Sequence, residues 1–149
     1  MKQIKTEILI KASSEKVWQI LMDFDNYPNW NPFIKYIQKS KSDSSKLEIE
    51  IQPPNGNKIQ FNPIILDQIQ NKKFSWKGKL LVSGLFDGEH IFELIANPDG
   101  STTFIHSEKF SGILVPFINL KSTEKGFILM NQKLKQLANY TISFGKVTY

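Results

Sequence analysis

Three side chains in this sequence can hold or move a proton near neutral pH in one place: His90, His106 and Glu108. The chain has no other histidine and no cysteine. The two histidines flank the segment NPDGS (residues 97–101), which is a strong turn signal. A turn centred on Asp99 sets opposite one another residues whose numbers sum to about 198, with facing Cβ atoms about 4.5–5.5 Å apart. His90 then faces Glu108, Phe92 faces His106, and Leu94 faces Phe104. Strand side chains alternate between faces, so the even positions from 90 to 110 share a side. That side carries Phe92, Leu94, Phe104 and Phe110 and should point inward, leaving His90, His106 and Glu108 as polar groups in an apolar lining. Such a trio has three readings. It can be a satisfied polar cluster that fixes strand register, since an unpaired buried polar group costs about 1–3 kcal/mol. It can orient a ligand in a mostly apolar pocket. It can do acid–base work, although no nucleophile accompanies it. A metal site is not expected, because positions 90, 106 and 108 lack a familiar short ligand spacing. A register slip of one residue would turn all three outward.

The elements that must position these groups are legible in order. Residues 2–11 alternate, with Ile4, Thr6, Ile8 and Ile10 on one face, as in a half-buried strand. Ser13 reads as an N-cap and Glu15 suits a first helical turn. Val17, Ile20, Leu21 and Phe24 then follow at helical spacing, predicting a short amphipathic helix over 14–23. The segment DNYPNWNPF (residues 25–33) reads as a turn or one further helical turn. Strands are expected at 34–39, at 47–51, through 57–69 with an edge or bulge at Pro63, and around Phe74, Trp76 and Gly78. Two long strands, 85–97 and 101–111, complete the run. From Pro116 to Asn139 the period becomes helical, with Leu120, Phe127, Met130, Leu134 and Leu137 on one stripe. Gly126 within that stripe suggests a bend or a close backbone approach. Residues 140–149 look β-like and have no obvious place. One sheet of about seven strands therefore has one face to cover, and only the long terminal helix is large enough to cover it. A helix against a curled sheet tends to leave a cavity.

Three stretches carry a family likeness: IKASSEKVWQILMDFDNYPNWNPFI (10–34), GLFDGEHIFELIANPDGSTTFIHSEKFSGILVP (84–116) and GFILMNQKLK (126–135). With them the chain resembles the SRPBCC superfamily, the START-like or helix-grip fold, in its polyketide cyclase/dehydrase-like branch. The resemblance implies an α+β domain over residues 1–140, with 141–149 as a tail. It also implies a central cavity for a small hydrophobic or aromatic ligand. Because this scaffold hosts many activities, a cyclase- or aromatase-like enzyme using His90 and Glu108 stays open beside a pure binder. So does a co-chaperone-like module, which would show an exposed apolar patch and a filled core.

Within that frame the expected lining is Trp30, Trp76, His90, Phe92, Phe104, His106, Glu108 and Phe110, with Phe127, Met130 and Leu134 as the opposite wall. Core packing is the competing reading for the two tryptophans and the helix stripe. Composition limits the alternatives. The 149 residues carry a formal charge of +5, and all 19 basic residues are lysine. Arginine supplies most bidentate phosphate and guanine contacts, and the lysines are scattered, so nucleic acid is not an expected partner. No run of about 18 apolar residues occurs that could span a membrane. No signal-peptide pattern opens the chain, and the expected compartment is cytoplasmic. No dinucleotide, P-loop or G-x-S-x-G motif is present, and no cofactor is expected.

Overall fold

A computed structural model describes residues 1–80, 84–117 and 119–147. The alternating N-terminal segment forms strand β1 (Lys2–Ile10), with Ile4 and Ile10 buried. Ser13 caps the next helix, α1 (Ser14–Met22), by accepting the Lys16 N–H at 3.2 Å. Val17, Trp18 and Leu21 form its buried face. A 3₁₀ turn (Phe24–Asn26) leads into the single-turn α2 (Tyr27–Trp30). There the buried Tyr27 hydroxyl donates to the Leu21 carbonyl at 2.8 Å and ties α2 back to α1.

Among the described residues there are eight strands, close to the seven or so expected, but in two hydrogen-bonded groups. Strands β2 (Ile34–Lys39), β3 (Leu47–Ile51) and β4 (Ile59–Phe61) form one, ordered β2-β3-β4. Strands β5 (Ile64–Ile69), β6 (Lys73–Leu80), β7 (Phe86–Ala96) and β8 (Thr102–Ser111) join β1 in the other, ordered β1-β8-β7-β6-β5. Pro63 stands where the expected 57–69 strand divides. It lacks the N–H a ladder needs, while its carbonyl accepts from Leu47 at 2.8 Å. A single bridge between Lys46 and Ile64 carries the curved wall from one group to the other.

The β7–β8 pairing matches the register expected from the turn: His90 opposite Glu108, Phe92 opposite His106, Leu94 opposite Phe104. The last helix differs from expectation at both ends. Pro116 lies in a separate 3₁₀ turn (Val115–Phe117), and α3 begins at Lys121, whose N–H is held by the Asn119 side chain at 3.0 Å. Helix α3 continues to Val147, through most of the segment that looked β-like; residues 148 and 149 lie outside the described residues. Extending a formed helix adds one hydrogen bond per residue fixed, which outweighs the weak strand preference of Thr141 and Ile142. Phe127, Met130, Asn131, Leu134 and Ala138 face the sheet. Gly126 allows the close approach its position suggested: the Phe33 ring occupies the space a Cβ would need. No helix among the described residues is long and apolar enough to cross a membrane.

Candidate functional site

Alternation on β7 and β8 turns His90 and His106 inward, and both are buried. Neither histidine meets open space. His90 stacks on Trp76 with centroids 4.3 Å apart, and its ring also meets Phe92 and Phe127. His106 stacks on Phe127 at 3.9 Å and touches Phe92 and Phe104. Each imidazole is thus held flat against an aromatic face, which fixes its plane and leaves its nitrogens free to bond edgewise.

Those nitrogens belong to one continuous row of polar atoms. Glu108 Oε1 lies 2.7 Å from His90 Nδ1. His90 Nε2 lies 2.9 Å from His106 Nε2. His106 Nδ1 lies 2.8 Å from Asn131 Oδ1 on α3. The Asn131 amide Nδ2 donates to Thr6 Oγ1 on β1 at 2.8 Å, and the Thr6 hydroxyl donates to the His106 carbonyl at 2.8 Å. The row therefore joins β7, β8, α3 and β1 across the interior. Burial pushes the Glu108 carboxyl up to about 8 and His90 down to about 3. His106 is also pulled well below its ordinary value, first by burial and then by His90 beside it. All three shifts disfavour charge, as expected of groups removed from water.

Of the three titratable members Glu108 is the one that water can reach, its side chain 18% exposed. Its carboxyl lies over Gly88, where any Cβ would collide with Oε2. Gly78 pairs with Gly88 on the neighbouring strand, and the Phe61 ring packs on it. Phe86, half-buried, stacks on Phe110 at 5.5 Å. The start of β7 pairs with the end of β8 here, at the mouth of the barrel. Beside it, the segment after β8 exposes Ile113 (69%) and Phe117 (85%) to solvent.

The expected lining residues mostly come together. Trp76, Phe92, Phe104, Phe110, Phe127, Met130 and Leu134 all belong to one buried cluster. Trp30 is half-buried at the cluster's edge, its ring 5.3 Å from Tyr27. Its buried Nε1 has no hydrogen-bond partner among the described residues, nor has Asn31 Nδ2 next to it. Among the described residues, ring stacks occupy the space where a void was expected. The depressions described, of about 460 and 380 Å³, lie on the outer surface, lined by residues such as Tyr36 and Glu50 or Met22 and Gln68. Two members of the polar row, Thr6 and Asn131, escaped the sequence reading. Their signals were present: Thr6 shares the inward face of β1 with Ile4 and Ile8, and Asn131 interrupts the apolar stripe of α3.

The family model for polyketide cyclase / dehydrase and lipid transport matches residues 1–139. No curated protein matches. Among solved structures, a START superfamily protein from Mycobacterium smegmatis is similar at 17% identity and TM-score 0.71, covering 93% of this chain and 98% of that one. A protein of unknown function from Staphylococcus aureus is similar at 18% identity and TM-score 0.62, covering 95% and 97%. The di-domain ARO/CYC StfQ from the steffimycin biosynthetic pathway is similar at 11% identity and TM-score 0.65, covering 95% of this chain and 52% of that one. At these identities the likeness is one of fold.

Proposed function

The chain belongs to the polyketide cyclase / dehydrase and lipid transport family, and from that premise we propose that it binds a small, largely apolar molecule between the curved sheet and α3. The supporting observation is the buried polar row, set in an aromatic lining, whose outermost titratable member, Glu108, reaches water. Pockets of this kind are mostly apolar with a few placed polar groups. Binding is driven by burying ligand area, at about 25 cal/mol per Å² before ordering costs. Because rings fill the interior, a guest must displace side chains at the mouth, where Phe61 and Phe86 are only half-buried. Native mass spectrometry of protein purified from its producing cells, with solvent extraction of what it carries, tests this reading. A single apolar species should be retained. Empty protein whose tryptophan fluorescence ignores a panel of apolar probes would count against it.

A proton-transfer enzyme on the same site is the second reading, favoured by the 2.7 Å Glu108–His90 contact and a carboxyl that burial pushes up to about 8. Glu108→Gln separates the two: a binder keeps most of its affinity, whereas an enzyme keeps binding and loses turnover. Exposed Ile113 and Phe117 beside a packed interior are what a partner-binding module would show. Polar replacement of both should leave ligand uptake intact if the pocket is the functional site.

A further inference from the structure

The polar row has a direction, and a backbone atom sets it. The His106 carbonyl can only accept, so the Thr6 hydroxyl spends its single proton there. Thr6 Oγ1 is then an acceptor toward Asn131, and the Asn131 amide must present Nδ2 to it. That leaves Asn131 Oδ1 facing His106, whose Nδ1 must carry a proton. A neutral His106 then has a bare Nε2. Across the 2.9 Å contact, His90 must therefore donate from its own Nε2. Each link follows from the one before it, and the last leaves His90 Nδ1 and Glu108 Oε1 to share one proton.

Counting protons gives the state of the outer end. The contacts Glu108–His90, His90–His106 and His106–Asn131 hold one proton each. Three protons on one carboxyl and two imidazoles make the row neutral overall. The shared outer proton sits either on Glu108 Oε1 or on His90 Nδ1. In the first case Oε2 is a carbonyl-type oxygen, and in the second it is half of a carboxylate; both accept. With a proton on Oε2, the 2.7 Å contact stays bridged only if a fourth proton is added, leaving a doubly protonated His90 opposite a neutral carboxyl. That net positive charge would lie among the Trp76, Phe92 and Phe127 rings, away from water.

We propose, resting on the ligand-binding reading above, that Thr6 and Asn131 act as positioning residues that make Glu108 Oε2 a constant acceptor at the mouth of the barrel. The site then selects apolar guests that carry a hydrogen-bond donor, such as a phenol or alcohol, over ethers and ketones of the same shape.

Two measurements test it, and they can fail separately. The chain has two histidines, so long-range ¹H–¹⁵N spectra of histidine-labelled protein report both rings without crowding. His106 should be protonated at Nδ1 and bare at Nε2, with His90 protonated at Nε2. A His106 protonated at Nε2 reverses the row and overturns the proposal. Thr6→Ser should preserve the pattern, and Thr6→Val should lose it by freeing the Asn131 amide. A merely structural threonine would leave the His106 tautomer unchanged in Thr6→Val. The second measurement compares 2-naphthol with 2-methoxynaphthalene by tryptophan quenching. The naphthol should bind about tenfold more tightly, the worth of one hydrogen bond. In Glu108→Gln the row turns the amide nitrogen toward His90 and the carbonyl outward, so the preference should survive. Equal binding, or a preference for the ether, overturns the donor rule. If neither probe binds, the pocket reading falls and takes the donor rule with it, while the tautomers still decide the direction of the row.

Discussion

At one end of the barrel α1 lies across the sheet with Val17 and Leu21 fully out of solvent. Tyr27 donates to the Leu21 carbonyl there, and Thr102 to that of Ala12. At the other end Phe61 and Phe86 stay half-buried beside the Gly78–Gly88 pair, and a carboxyl replaces the apolar side chain that would seal the layer. The same alternating strands build both ends. What differs is how each polar group is matched. At the closed end Tyr27 and Thr102 meet backbone carbonyls, whereas at the mouth Glu108 meets another titratable group. Stability should therefore depend on packing at the first end and on protons at the second.

The largest expected effect breaks the closed half. Phe104 is fully buried and touches Phe92 and His106. Phe104→Ala should cost about 3–5 kcal/mol, read from the urea midpoint, with little dependence on pH between 6.5 and 8.

The mouth should respond to pH in a way the closed end does not. Glu108 is raised from 4.5 to about 8, so between these values the folded chain holds a proton that the unfolded chain has released. Stability should fall as pH rises through that window. His90 is lowered from 6.5 to about 3, and His106 is lowered too, so below about 6.5 the unfolded chain binds the extra protons and stability rises with pH. Two rising contributions outweigh one falling one up to about pH 6.5, after which Glu108 acts alone. A maximum near pH 6.5 should result, with a loss of at most about 2 kcal/mol by pH 8. Urea midpoints across pH 4–9 would show it, and Glu108→Gln should flatten the alkaline side and steepen the rise between about pH 4.5 and 6.5.

Smaller changes sharpen the contrast. Tyr27→Phe removes the bond to Leu21 and should cost about 1 kcal/mol. Phe117→Ser, at a side chain already in water, should shift the midpoint by less than about 0.5 kcal/mol. A large loss in that variant would mean that the rim supports the fold as firmly as the closed end does.

How much of this was legible follows from how local each signal is. The β7–β8 register needed only the NPDGS turn and alternation, so the His90–Glu108 pair could be read before any coordinates. The strand break at Pro63 was visible, but its consequence, two hydrogen-bonded groups of strands, depends on Lys46 and Ile64 meeting across the wall. Thr6 and Asn131 stand 125 residues apart and their partnership leaves no periodic mark. Each looked like an ordinary polar residue on an apolar face. Whether the interior is hollow was not legible either. It is decided by the rotamers of Trp76 and Phe127, which lie flat on the imidazoles and fill the space between sheet and helix. The extension of α3 to Val147 is a cooperative effect that residue preferences at 140–147 contradict.

Asn131 has one more consequence. A side-chain amide does not pass a proton onward, so the imidazole pair has a blind inner terminus. Charge arriving at Glu108 has to leave by the same door. The interior of this protein can serve as a reservoir for a hydrogen ion, but not as a conduit from one side of the barrel to the other.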